Sequence, residues 1–223
     1  MRKFWPLFLL LALISQAEAM NIKFLGGFGF SHYAVKPERY QGIDWDTGRW
    51  FRYEGRDRQG MAIGAGVEFR LRRHLSLEVD VLYSEKGGRF TLFFDDIPSQ
   101  KLEYKLDVIS VPLLLKLKFF RESTPYLLAG GELSCILAHK GKTRYQSPYS
   151  IDHISYEFDL RGLTKYIDLA ATIGGGFEIK IGKIWVFVEA RYLLGFFNIL
   201  TDDSYPPDSF KTRSGLVLVG LKI

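Results

Sequence analysis

Apolar residues recur at every second position over long stretches of this chain, and that period of two constrains the fold more than any other feature. Met61, Ile63, Ala65, Val67 and Phe69 form one series, and Leu75, Leu77, Val79, Val81 and Tyr83 the next. The pattern returns in Ile109, Val111, Leu113, Leu115, Leu117 and Phe119, and in Ile167, Leu169, Ala171, Ile173, Phe177 and Ile179. It closes with Val186, Val188, Ala190, Tyr192 and Leu194, then Val217, Val219, Leu221 and Ile223. Successive side chains of a strand point to opposite faces, so each stretch reads as a strand with one apolar and one polar face. The intervening positions carry charges of both signs: Glu68, Arg70, Glu78, Asp80, Lys116, Lys118, Glu132, Asp168, Glu178, Lys180, Glu189 and Arg191. Beyond residue 20 no apolar run approaches the ~20 residues of a membrane-spanning helix.

Eight strands follow, at about 21–31, 60–71, 74–86, 104–119, 125–138, 165–181, 184–196 and 212–223. Most reach the ~9–11 residues that a tilted strand needs to cross a bilayer. The connections at 72–73, 120–124 and 182–183 are tight, whereas 32–59, 87–103, 139–164 and 197–211 read as long polar loops. Because short and long connections alternate, the long ones share one side. The expected fold is all-β: an eight-stranded antiparallel up-and-down transmembrane β-barrel with short periplasmic turns and four long external loops. Gly215 to Ile223 should pair with Asn21 to Ser31, turning Val217, Val219, Leu221 and Ile223 to lipid and Leu216, Leu218 and Lys222 to the lumen.

Parity alone does not say which face is inside. A soluble, exported lipocalin-like barrel would turn the apolar set inward around an apolar ligand. Phe119, Tyr126, Tyr166 and Tyr192 near strand ends suggest the aromatic girdles of a membrane barrel, and the one-sided loops agree. An interior of eight strands is just wide enough for side chains to fill. The charged positions are therefore expected as a structural ion-pair network in a largely filled, polar lumen, with little room for a diffusion pore.

Arg2 and Lys3, the apolar stretch Phe4 to Ile14 and the small residues around Ser15 to Ala19 have the layout of an export signal. Cleavage after Ala19 would leave a single barrel domain over 20–223 in the cell outer membrane. Cys135 is the single cysteine, so no intramolecular disulfide, metal cluster or cofactor site is expected from it. The formal charge of +5 is spread along the chain, unlike a nucleic-acid footprint.

Candidate chemistry is sparse. Glu78 and Asp80 share a face, as acid/base carboxylates would, but cations on the same face are there to neutralise them. Gly174-Gly175-Gly176 continues into Phe177-Glu178-Ile179 with strand character, which argues against a phosphate-cradling turn into a helix. Pro112 should bulge or bend its strand. His74-Leu75-Ser76 is similar to the His-x-Ser spacing of outer-membrane lipid A deacylases, yet it falls beside a periplasmic turn. No residue is assigned a catalytic role. In the first loop Trp45, Arg49, Trp50, Arg52, Tyr53 and Arg56 interleave rings with guanidinium groups, a pattern that stacks on sugars or meets phosphates.

Leu77 to Ser84, Ile109 to Lys116, Pro125 to Gly131, Gly174 to Glu178, and Glu189 to Tyr192 with Asn198-Ile199 occur in an order that resembles the PorT-like outer-membrane β-barrel family. The resemblance covers roughly 60–223 and departs at Ile223, where such strands more often end in an aromatic residue. It implies an outer-membrane barrel without an assigned enzymatic role. Its expected partners are outer-membrane lipid and lipopolysaccharide, the barrel-insertion machinery during biogenesis, and a protein or surface glycan at the external loops.

Overall fold

The computed structural model of the protein describes residues 19–36, 41–43, 48–120, 123–145, 155–201 and 209–223. Its strands are β1 (Ala19–Lys36), β2 (Gln41–Ile43), β3 (Trp50–Arg56), β4 (Arg58–Arg72), β5 (Leu75–Phe94), β6 (Ile97–Lys118), β7 (Ser123–Tyr145), β8 (Ser155–Asp159), β9 (Ile167–Ile181), β10 (Ile184–Gly195) and β11 (Ser209–Lys222). Residues 1–18 of the expected export signal lie outside the described residues.

Eight of these strands pair antiparallel in a closed ring, β1-β4-β5-β6-β7-β9-β10-β11 and back to β1. The seam sets Lys23 opposite Lys222 and Phe28 opposite Val217. Closure leaves no unpaired edge in the wall, a requirement for backbone that meets hydrocarbon.

The two parities separate as inside and outside. Ile63 is 62% exposed and Val81 56%, while Glu78 and Asp80 are at 0%. Apolar out and charged in is the reverse of a soluble ligand-binding barrel. In the last strand Val217, Val219, Leu221 and Ile223 are exposed and Leu216, Leu218 and Lys222 buried. Leu77 departs from its series: it has the outward parity but is buried between its register partners Phe69 and Leu115.

The interior is less uniformly polar than expected. Leu25, Ala62, Leu82, Phe187, Leu193, Leu216 and Leu218 form an apolar cluster contributed by β1, β4, β5, β10 and β11, strands that also carry the buried charged residues Lys23, Glu68, Glu78, Asp80, Glu189, Arg191 and Lys222. Close packing requires glycine at particular points. A Cβ on Gly66 would lie 2.1 Å from Asp80 Oδ1, and one on Gly176 2.5 Å from the Tyr126 hydroxyl.

Pro112 faces inward but produces no change of register. The β5–β6 pairing skips from Val79↔Leu113 to Leu82↔Ser110 in the same frame. Proline removes one donor and the ladder loses pairs there without a bulge. The nearby register shift is at Asp107/Val108 instead.

The external side differs most from expectation. Residues 87–103 are not a loop: β5 and β6 run on as a hairpin closed by Asp95 and Asp96, whose φ angles of 48° and 62° fit a two-residue type I′ turn. The segment 32–59 contributes β2 and β3, and 139–164 contributes the end of β7 and β8. β2-β3-β5-β6-β7-β8 is thus a six-stranded sheet standing on one side of the barrel mouth. β5, β6 and β7 have 20, 22 and 23 residues. Crossing takes ~9–11, so about half of each strand rises beyond the membrane.

Candidate functional site

Two places collect functional side chains: the lumen, and the external sheet above it. At the periplasmic end of the lumen, Lys116 Nζ lies 3.2 Å from Glu68 and 3.0 Å from Glu178. Lys222 reaches the same carboxylates at 3.0 and 2.9 Å, and Lys118 contacts both as well. One layer up, Glu78 receives Lys23 at 2.5 Å and Lys116 at 2.8 Å, while Arg191 binds Asp80 at 2.7 Å and also Glu189. Tyr126 donates its hydroxyl to Glu189 at 2.9 Å and lays its ring 3.8 Å from Lys116 Nζ. These two layers balance: Lys23, Lys116, Lys118, Arg191 and Lys222 against Glu68, Glu78, Asp80, Glu178 and Glu189. Buried charge is costly unless paired, and here each of these charged groups has an opposite partner.

The third layer is more open in its bonding. Lys86 pairs with Glu132 at 3.0 Å, Ser134 donates to the same carboxylate, and Thr212 donates to Asp168 at 2.7 Å. Above it an apolar cap closes the lumen: Tyr33, Leu106, Val108, Ile136, Ile199 and Phe210, with Phe90 and Tyr104 against them. The Tyr33 and Phe210 ring centroids are 4.0 Å apart. His139 is buried in this cap, past the spanning part of β7. Thr164 donates its hydroxyl to Leu160 O, so it accepts from His139 Nδ1–H at 2.8 Å, which leaves Nε2 to accept from Tyr33 at 3.3 Å. Burial lowers the imidazole to about 4, and the ring stays neutral.

Of the charged positions expected in the lumen, Arg70 and Lys180 are exposed and lie outside this network. Both sit near the periplasmic strand ends, where a long side chain reaches water. Lys180 lies near the Trp185 ring. Lys23, Lys86 and Lys222 belong to the network, with Lys86 on a stretch that runs on past the spanning segment. Tyr126, expected in the girdle, is a lumen residue, because β7 sets it on the same inward face as Thr124 and Leu128. Phe119, Tyr166 and Tyr192 are exposed. His74 Nδ1 is bonded to Lys118 O at 3.0 Å and Ser76 is buried on the inward face, so the pair does not form a nucleophile and base.

The external sheet has two unlike faces. By register, Phe51, Tyr53, Phe90, Leu92, Phe94, Leu102, Tyr104, Tyr145, Tyr156 and Phe158 share the face that continues the lumen wall. Ring contacts run along it, from Phe51–Tyr53 through Phe90–Tyr104 and Tyr104–Phe158 to Tyr145–Tyr156. Tyr156 is 60% exposed and Tyr145 46%. The opposite face carries Trp50, Arg52, Arg56, Arg89, Lys101 and Arg144.

The candidate binding residues of the first loop are therefore divided. Trp45 lies outside the described residues. Tyr53 is on the ring-lined face, and Trp50, Arg52 and Arg56 are on the charged one, because β3 is a strand and alternates. Arg49 is held by Asp95 at 2.7 Å and lies over Phe94; Arg52 is held by Asp96 at 3.2 Å and lies over Phe93. Reading 87–103 and 139–164 as loops hid the larger ring-lined face. Its trace in the sequence is the alternation Phe90-x-Leu92-x-Phe94 and Leu102-x-Tyr104.

Among solved structures, Neisserial surface protein A is similar at 12% identity and a TM-score of 0.47, over 93% of this chain and 97% of that one. OprG from Pseudomonas aeruginosa is similar at 11% identity and a TM-score of 0.45, with the same coverage of 93% and 97%. Ail of Yersinia pestis, solved with the heparin analogue sucrose octasulfate, is similar at 12% identity and a TM-score of 0.39, over 92% and 99%. No curated protein matches the chain. A family model described as outer membrane protein beta-barrel domain matches residues 14–201. With that match over most of its length, the chain belongs to the outer membrane protein beta-barrel domain family.

Proposed function

We propose that the protein is a non-conducting barrel that serves an interaction role through its external sheet. The observation that carries this is the blocked lumen: two balanced ion-pair layers lie below an apolar cap, and the side chains that form them are almost wholly buried. An eight-stranded interior filled in this way leaves no continuous water path. What remains accessible is the external sheet, whose ring-lined face suits sugar rings or an apolar partner surface, since aromatic faces pair with both.

The reading includes export with cleavage after Ala19, delivery by the barrel-insertion machinery and an annulus of outer-membrane lipid and lipopolysaccharide. The ordered series from Leu77 to Ile199 supports placing the chain with the PorT-like group. No catalytic role is assigned, in keeping with the His74 bond to the backbone. Planar-bilayer recording of the pure protein tests the central point: the expected trace is flat, and steady unitary openings overturn the proposal.

A further inference from the structure

The uppermost polar layer of the lumen does not balance its charge. The ten ionised groups below it cancel, but here Lys86, the one cation of the layer, pairs with Glu132 and acts on Asp168 only through space. Asp168 has no ion pair among the described residues, although it is only 4% exposed. Glu132 stands opposite Ala170 on β9, and Ser134 opposite Asp168, so the two carboxylates are diagonal neighbours on adjacent strands.

This part of the lumen wall holds buried oxygens without a hydrogen-bond partner among the described residues, on both carboxylates, on Thr172, the other diagonal neighbour of Glu132 across β7 and β9, and on Ser214 of β11. They are Glu132 Oε2, Asp168 Oδ1, Thr172 Oγ1 and Ser214 Oγ, on residues between 0% and 4% exposed. Thr212, two residues from Ser214 on β11, already spends its proton on Asp168 Oδ2. Unpaired buried oxygens in native proteins call for a ligand, an ion or water. A layer of carboxylate and hydroxyl oxygens with one surplus negative charge, closed below by ion pairs and above by rings, has the chemistry of a hard-cation site.

We propose that this chamber binds a single monovalent alkali cation, sodium or potassium, with Asp168 as its principal ligand and Glu132 and neighbouring hydroxyls completing the oxygen set. The charge count selects the valence. One positive charge neutralises the layer, whereas a divalent ion would leave it positive.

The test uses the full barrel folded in neutral detergent, in buffers of equal ionic strength containing sodium, potassium or the bulky N-methylglucamine cation. A ligand bound only by the folded state raises stability by mass action. The unfolding midpoint should rise by about 3 °C or more in sodium or potassium over N-methylglucamine, as expected for a chain of this size at a tenfold excess over the dissociation constant. Asp168→Asn removes the surplus charge with little change of shape. It should match the alkali-stabilised wild type in every buffer and lose the cation dependence. A wild-type midpoint that is equal in all three cations overturns the proposal, and if that midpoint also moves with pH, a proton rather than a metal ion neutralises the layer. Cation dependence that persists in Asp168→Asn overturns it too, by placing the effect elsewhere. A crystal soaked in rubidium supplies an independent reading: an anomalous peak within bonding distance of Asp168 supports the site, and one elsewhere in the lumen opposes it.

Discussion

Glu78 shows how differently one residue type behaves across this molecule. It is fully buried and contacts Lys23, Lys116 and Arg191, so removing its charge strands cations that have no water to return to. Glu54, by contrast, faces Arg56 at 3.9 Å with both side chains exposed. Breaking a buried pair by deleting one partner typically costs about 3–5 kcal/mol, while an exposed pair is worth about 0–1 kcal/mol. Glu78→Leu should accordingly lower stability by about 3–5 kcal/mol in urea unfolding from lipid vesicles, and Glu54→Gln by less than about 1 kcal/mol. Equal effects of the two changes would contradict the buried network. At this scale the sequence was partly legible. Two-residue parity put Glu68, Glu78, Asp80, Lys116, Glu178, Glu189 and Arg191 on one face, but parity carries no height, so it did not separate Arg70 and Lys180 at the rim from the groups inside. Nor did it place Tyr126, since an aromatic near a strand end reads as a girdle residue until its partner Glu189 is seen.

The β5–β6 hairpin is the element that the sequence hid and the structure supplies. Its turn is made by Asp95 and Asp96, neither of them the glycine that a type I′ turn prefers, and both hold positive φ. Asp96 is the one that can be changed. Asp95 receives Arg49 and the Trp50 amide, whereas Asp96 holds only an exposed guanidinium at 3.2 Å. Left-handed backbone costs a non-glycine residue roughly 1–2 kcal/mol, and loss of the exposed pair takes back less than that. Asp96→Gly should therefore slow hydrogen exchange of the amides from Arg89 to Phe94 by roughly tenfold, while faster exchange would show that the Arg52 contact dominates. The eight ring strands were readable because each alternates over a bilayer's thickness. β3, β8 and the outer halves of β5 to β7 were not, because short segments mixing charges with rings also resemble loops, and only cross-strand register reveals their shared faces.

Seen whole, the barrel is a filled cylinder with ion pairs and apolar clusters inside and an apolar outer surface, and the surrounding medium decides what that surface costs. Ile173 lies in the middle of β9 and Ile167 at its external end beside Tyr166, and the two are almost equally exposed, at 55% and 56%. If water surrounded the barrel, arginine at either position would be a surface change worth at most about 0.5 kcal/mol. With hydrocarbon around the midplane, the cost of arginine becomes depth-dependent: about 2–4 kcal/mol at the centre and about 0–1 kcal/mol near the interface. Ile173→Arg should thus destabilise the vesicle-folded protein by about 2–4 kcal/mol and Ile167→Arg by no more than about 1 kcal/mol. Their exposure in the isolated chain is the same, so a difference between them can come only from depth in the bilayer. Equal and small effects would remove the membrane from the account of this surface.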